Sequence, residues 1–165
     1  MTIEDFVTHE INEYQTDNVR EIIDYHDISI EYNDQLNKAC DSSIFLFHQT
    51  AYITIKSDLN PLYENFLLAH ELGHYLAFIA GNVDKSSSFA AVYNSEKSKF
   101  TGVRKAYATQ NASEYFAESV QNYVENPAAL KAQRPQTYEA VKNALAKVTD
   151  AQVNKIINVY KVIWK

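Results

Sequence analysis

The sequence predicts an α+β domain, mostly helical, with a small mixed β-sheet ahead of a long central helix. Three observations predict it. Apolar residues recur at helical spacing towards both ends of the chain. Alternating segments between positions 28 and 56 read as strands. Residues 62–80 are apolar almost all round, between a helix start signal and a stop signal, so that helix is expected to be buried on most faces. A chain of 165 residues fits one domain, residues 1–165, and can bury a core without disulfide or metal staples.

Ile3, Phe6, Val7, Ile11 and Tyr14 predict a first helix, with Thr2 and Asp5 as a cap pair. Asp17 is the expected cap of a second helix through Val19, Ile22, Ile23 and Tyr25. Ile28, Ile30 and Tyr32 alternate with polar residues, as in a half-buried strand. Residues 43–48 and 51–56 flank Gln49-Thr50 and predict a hairpin, although that pair lacks the Gly or Asn of the preferred turns. Asn60 and Pro61 start the central helix, as a capping amide and a proline at the first helical position. Gly81 is its natural stop.

Beyond Gly81 the periodicity weakens as far as Ala112. Ser86-Ser87-Ser88 reads as a loop, and residues 89–100 as a stretch holding a short helix. Ser113 is the expected cap of a helix over about 114–125, ended by Asn126-Pro127. Two helices, over about 136–147 and 151–165, finish the chain. Val153, Ile156, Ile157, Tyr160 and Ile163 put an apolar side on the last of them, expected to complete the core.

Composition removes several function classes. The formal charge is −6 with no basic cluster, so a nucleic-acid surface is not expected. The single Cys40 excludes an intramolecular disulfide and a Cys-rich zinc finger. No apolar run reaches the ~18 residues of a membrane span, and no membrane partner is expected. The acidic start Met1-Thr2-Ile3-Glu4-Asp5 has no apolar signal region, so the expected location is cytoplasmic. Twelve Tyr and eight Phe predict an interior rich in rings.

The chemistry is concentrated in His70-Glu71-Leu72-Gly73-His74. Residues four apart on a helix share a face, so His70 and His74 can offer ring nitrogens to one ion, at about 2.0–2.1 Å for zinc. Glu71 lies roughly 100° round from His70, within reach of a water on that ion. Gly73 leaves space beside the second ligand. With 5 His in 165 residues the pattern arises by chance in about one such chain in a hundred. Chance does not also place it in the middle of an apolar, cleanly capped helix, where two His and a Glu are costly to bury without a partner. A catalytic zinc takes three protein ligands. Cys40 has no supporting context, whereas Glu114 and Glu118 form an i, i+4 carboxylate pair interleaved with Tyr115, Phe116 and Ala117. One would bind zinc and the other orient a ligand imidazole; spacing does not say which.

These motifs resemble the gluzincin metallopeptidases. Glu114-Tyr115-Phe116-Ala117-Glu118-Ser119 is similar to the glutamate motif of the anthrax lethal factor catalytic domain and of the clostridial Pro-Pro endopeptidases. The resemblance runs from Asn60 to Leu145 and includes Arg134-Pro135-Gln136-Thr137-Tyr138. It implies a zincin-like fold with an active-site helix and a glutamate helix, Glu114 as the third zinc ligand beside His70 and His74, and Glu118 supporting them. It also implies a tyrosine seven residues before the ligand glutamate, here Tyr107, that assists the oxyanion. A shorter resemblance, to phage and mobile-element peptidases that cleave repressors, covers the strand-helix segment ending in His74.

The expected activity is therefore that of a zinc endopeptidase acting on a protein or peptide, with Zn2+ as cofactor. A metal-bound water attacks the peptide bond, Glu71 is the base, and Tyr107 with the metal stabilises the oxyanion. Residues 51–56 are the expected sheet edge for an extended substrate. The alternatives are an intracellular regulatory peptidase that cleaves a repressor partner, and an inactive zinc-binding interaction module. His9, His26 and His48 have no motif partners and are expected in surface or packing roles.

Overall fold

The computed structural model describes residues 18–36, 41–48, 50–102 and 104–163. The helix expected over residues 3–14, its cap pair and Cys40 lie outside the described residues. The observed architecture is mostly helical with one small mixed sheet, the α+β class the sequence predicts. Its contacts gather in two compact units. One holds the described chain up to Leu72 together with the chain from Lys155, and the other is Gly73–Asn154.

In the first unit, helix α1 (Val19–Tyr25) is capped by Asn18, whose side chain accepts from the Arg20 amide at 3.0 Å. Asp17, the expected cap, lies outside the described residues, and the observed cap is Asn18. Asn18 serves because its amide oxygen reaches the second residue of the helix, as an N-cap does. Strands β1 (Ile28–Tyr32), β2 (Ser42–Phe47) and β3 (Thr50–Ile55) form a sheet in the order β1-β3-β2. β1 runs parallel to β3 and β2 antiparallel to it. Burial in β1 falls away from Ile28 to an exposed Tyr32, so only its start is packed as a half-buried strand.

The hairpin is present, with its turn one residue earlier than expected. Phe47 pairs with Thr50, so the turn falls between these two residues. His48 takes the left-handed conformation there, at φ 45°, the role usually given to Asn or Gly. The expectation that residues 51–56 form a sheet edge is overturned. β3 is the central strand, paired on both sides, and its Ile53 and Ile55 are wholly buried.

Helix α2 (Pro61–Ile79) begins where Asn60 accepts from the Leu62 amide at 2.9 Å. It closes at Gly81, whose φ of 90° lets its amide return to the Phe78 carbonyl at 3.0 Å. Its first turns are more exposed than the apolar sequence implies, with Leu62 at 82%, and burial sets in from Leu67.

The second unit is helical among the described residues. A short 3₁₀ turn (Val83–Lys85) leads to α3 (Ser87–Glu96), which Ser86 caps through the Phe89 amide at 3.1 Å. The triple serine thus opens a helix rather than forming a loop. After a second 3₁₀ turn come α4 (Lys105–Ala108), α5 (Ala112–Glu125), α6 (Pro127–Gln133), α7 (Pro135–Leu145) and α8 (Asp150–Ile163), whose residues from Lys155 belong to the first unit. The cap of α5 is Asn111, which accepts from the Glu114 amide at 2.9 Å. Ser113, the expected cap, instead donates to the buried Asp84 carboxylate at 2.5 Å. α6 was not expected. Asn126 ends α5 and at once caps α6, accepting from the Ala129 amide at 3.0 Å.

Candidate metal centre

His70 and His74 stand one turn apart on α2, so the helix itself fixes their spacing. His70 is 2% exposed, and a ring so deep in apolar surroundings needs a polar partner. In the second unit His74 meets α5. A Cβ built on Gly73 would lie 2.9 Å from the Ala117 Cα and 3.0 Å from its carbonyl oxygen. The space beside the second histidine is therefore taken by the glutamate helix, and glycine is what permits so close an approach. Glu114 lies one turn before Ala117, and its Oε2 stands 3.4 Å from His74 Nε2.

One ligand atom from each of His70, His74 and Glu114 lies within 4.8 Å of the other two. That set matches the chemistry of zinc. Two donors on a tetrahedral zinc at about 2.0–2.1 Å stand roughly 3.3 Å apart. The 3.4 Å between His74 and Glu114 is close to that spacing and longer than an ordinary N–H···O bond. Among the described residues the group contributes three donors, two ring nitrogens and one carboxylate oxygen. A closed structural zinc site takes four protein donors, and a catalytic one takes three.

Glu71 is 5% exposed. Its Oε1 accepts a hydrogen bond from the Ser42 hydroxyl at 2.7 Å, within the first unit. Glu118 is buried one turn beyond Glu114, with the Arg104 guanidinium 4.0 Å away. Tyr107 sits on α4, 38% exposed, with the Arg104 guanidinium 4.4 Å from its ring centroid. Arg104 therefore touches both residues. The segment is also tied to α3, where the Tyr93 hydroxyl donates to the Thr109 carbonyl at 2.6 Å.

The glutamate helix is anchored from behind. Tyr115, next to Glu114, donates to the Thr137 hydroxyl at 2.8 Å, and that hydroxyl donates to Glu96 at 2.8 Å. The Thr137 amide adds a second 2.8 Å bond to the same carboxylate oxygen. Burial acts to raise the pKa of Glu96. The two Thr137 bonds and Lys99 outweigh it and hold the carboxyl below its ordinary value. Further along, Arg134 is 2% exposed and lies over the rings of Phe100 and Tyr115. It donates to Ser119 Oγ at 3.0 Å and to the Asn122 side chain.

Sequence reasoning missed Ser42 and Arg104. Neither carries a local motif, because each is joined to the site by tertiary packing. His26 closes α1, and His48 turns the hairpin against Phe47; His9 lies outside the described residues. No helix among the described residues is long and apolar enough to cross a membrane.

Fold and site together define a mostly helical α+β domain carrying a three-residue group suited to a metal ion. The family described as anthrax toxin lethal factor, N- and C-terminal domain, matches residues 49–144. That is more than half of the chain, and the chain belongs to this family. The match takes in β3, α2, the metal group and most of α7. No curated protein and no solved structure matches significantly.

Proposed function

We propose that this chain is a zinc-dependent endopeptidase of the gluzincin type, acting on a protein or peptide. The observation that carries the reading is the convergence of His70, His74 and Glu114 beside Glu71, a carboxylate on the same helix that is not one of the three donors. Zinc, when bound, supplies Lewis-acid chemistry, making water more acidic and polarising a carbonyl.

The remaining work falls to the chain's own residues. Glu71 takes the proton of the attacking water and delivers it to the leaving amine. The Tyr107 hydroxyl donates to the oxyanion as the carbonyl becomes tetrahedral. Arg104, over the Tyr107 ring, restrains that side chain. Glu118 orients a ligand imidazole from behind. An extended substrate adds to the outer edge of β2, which among the described residues is paired only to β3. β2 is also the strand that contacts Glu71, through Ser42.

A peptide library incubated with zinc-loaded protein tests the reading. Cleavage that stops on chelation and returns with zinc is the expected result; absence of cleavage under zinc-replete conditions counts against it.

A further inference from the structure

We infer that Ser42 is a positioning residue for Glu71, holding one carboxylate oxygen so that the other faces the attacking water. The inference rests on the peptidase reading. Its physical basis lies wholly within the first unit of the structure.

A glutamate on a helix has three side-chain torsions, and a general base works only in the few orientations that point an oxygen at its proton. Glu71 is 5% exposed, so water does little to fix it and a buried donor does more. Ser42 is that donor, at 2.7 Å and itself 7% exposed. That length is the usual optimum for a hydroxyl donor to oxygen.

The donor is itself held in place. Ser42 pairs with Ile55 on the central strand, and Ile55 is wholly buried. The residue before it is clamped three ways. The Asp41 carbonyl accepts from the Lys56 amide at 3.0 Å, its Oδ1 pairs with Lys56 Nζ at 2.5 Å, and its Oδ2 accepts from the Tyr63 hydroxyl at 2.8 Å. Tyr63 belongs to α2, the helix that carries Glu71. Strand and helix are thus also joined next to the Ser42–Glu71 bond, through Asp41 and Tyr63, and the hydroxyl is delivered to a fixed place. A bond that only stitched sheet to helix would duplicate the Asp41–Tyr63 link.

The test uses Ser42→Ala, Ser42→Thr and Glu71→Gln in the full chain loaded with zinc. Steady-state kinetics are read on a peptide the parent cleaves. In parallel, calorimetry reads acetohydroxamate, a metal-chelating probe that carries a hydroxyl donor for Glu71. Ser42→Ala should lower kcat about 10- to 100-fold, the usual scale for a supporting hydrogen bond, with zinc affinity retained. KM should stay within about twofold, because binding of the ground state is untouched. Acetohydroxamate should bind about tenfold more weakly, and Ser42→Thr should restore most of both losses. In the Glu71→Gln background Ser42→Ala should add nothing.

Parent-like kcat and probe affinity in Ser42→Ala overturn the inference. So does loss of fold or zinc in Ser42→Ala, or an equal probe loss in the Glu71→Gln background, since either marks a purely structural bond. If the zinc-loaded parent cleaves no peptide, the peptidase reading fails while the probe measurements still decide the Ser42–Glu71 coupling.

Discussion

Gly73→Ala places a methyl group where the structure has least room for one. The added Cβ would stand 2.9 Å from the Ala117 Cα, 3.0 Å from its oxygen and 3.3 Å from its carbonyl carbon, whereas ordinary contact begins at 3.4 Å. All three atoms are helix backbone, so no rotamer change relieves the overlap, and the two backbones must part by about half an ångström. Overpacking of this kind costs about 1–3 kcal/mol. Alanine gains about 1 kcal/mol over glycine in a helix interior, which leaves a net loss near ~1 kcal/mol. For a domain of this size that lowers Tm by roughly 2–4 °C. The sharper effect is on metal. The His74–Glu114 spacing, now 3.4 Å, widens beyond the roughly 3.3 Å that a tetrahedral zinc spans. Zinc affinity, measured by chelator competition, should fall about tenfold, equivalent to ~1.4 kcal/mol. Ala117→Gly should not rescue it, because the clash is with the Cα and carbonyl and not with the methyl of Ala117. A variant with parental zinc affinity and a raised Tm, as helix propensity alone predicts, would refute the reasoning.

Two further substitutions test the support behind α5. Arg134→Met removes the donors to Ser119 and Asn122 and the cation over two rings, at a cost of about 2 kcal/mol, so Tm in a thermal melt should drop by roughly 4–8 °C. Glu96 has a native pKa below its ordinary value, so its contribution to stability is present above the ordinary carboxylate range and is lost as pH falls through the native value. Urea unfolding from neutral pH into acid should show that loss, and Glu96→Gln should be less stable at neutral pH with a flatter profile in acid.

Local signals make the central helix legible in the sequence. Asn60, Pro61 and Gly81 bound it through side-chain and backbone effects that act within a few residues, and the His70–His74 spacing follows from helix geometry alone. Glu114 against Glu118 is not decided by spacing, since both lie on one face of α5; the structure brings the Glu114 carboxylate to His74 and sets Glu118 beside Arg104. Where short polar residues crowd together, the sequence points less well. Asn111 and Ser113 are both good caps, and what separates them is Asp84, 29 residues away, which engages the serine hydroxyl. The place of β3 at the centre of the sheet is likewise invisible in the sequence, because strand order depends on which neighbours arrive on each side. Its buried run of Ile53, Thr54 and Ile55 is the one local hint. Ser42 carries no motif, and only the folded chain brings it to Glu71.

In the proposed reaction His70, His74 and Glu114 hold zinc and Glu71 is the base. Glu71→Gln tests it most directly, with elemental analysis and peptide-cleavage rates read on the same preparation beside the parent. About one zinc per chain is expected in both proteins and, in the variant, loss of nearly all turnover. Parental turnover in Glu71→Gln, or a parent that takes up no zinc, would contradict it.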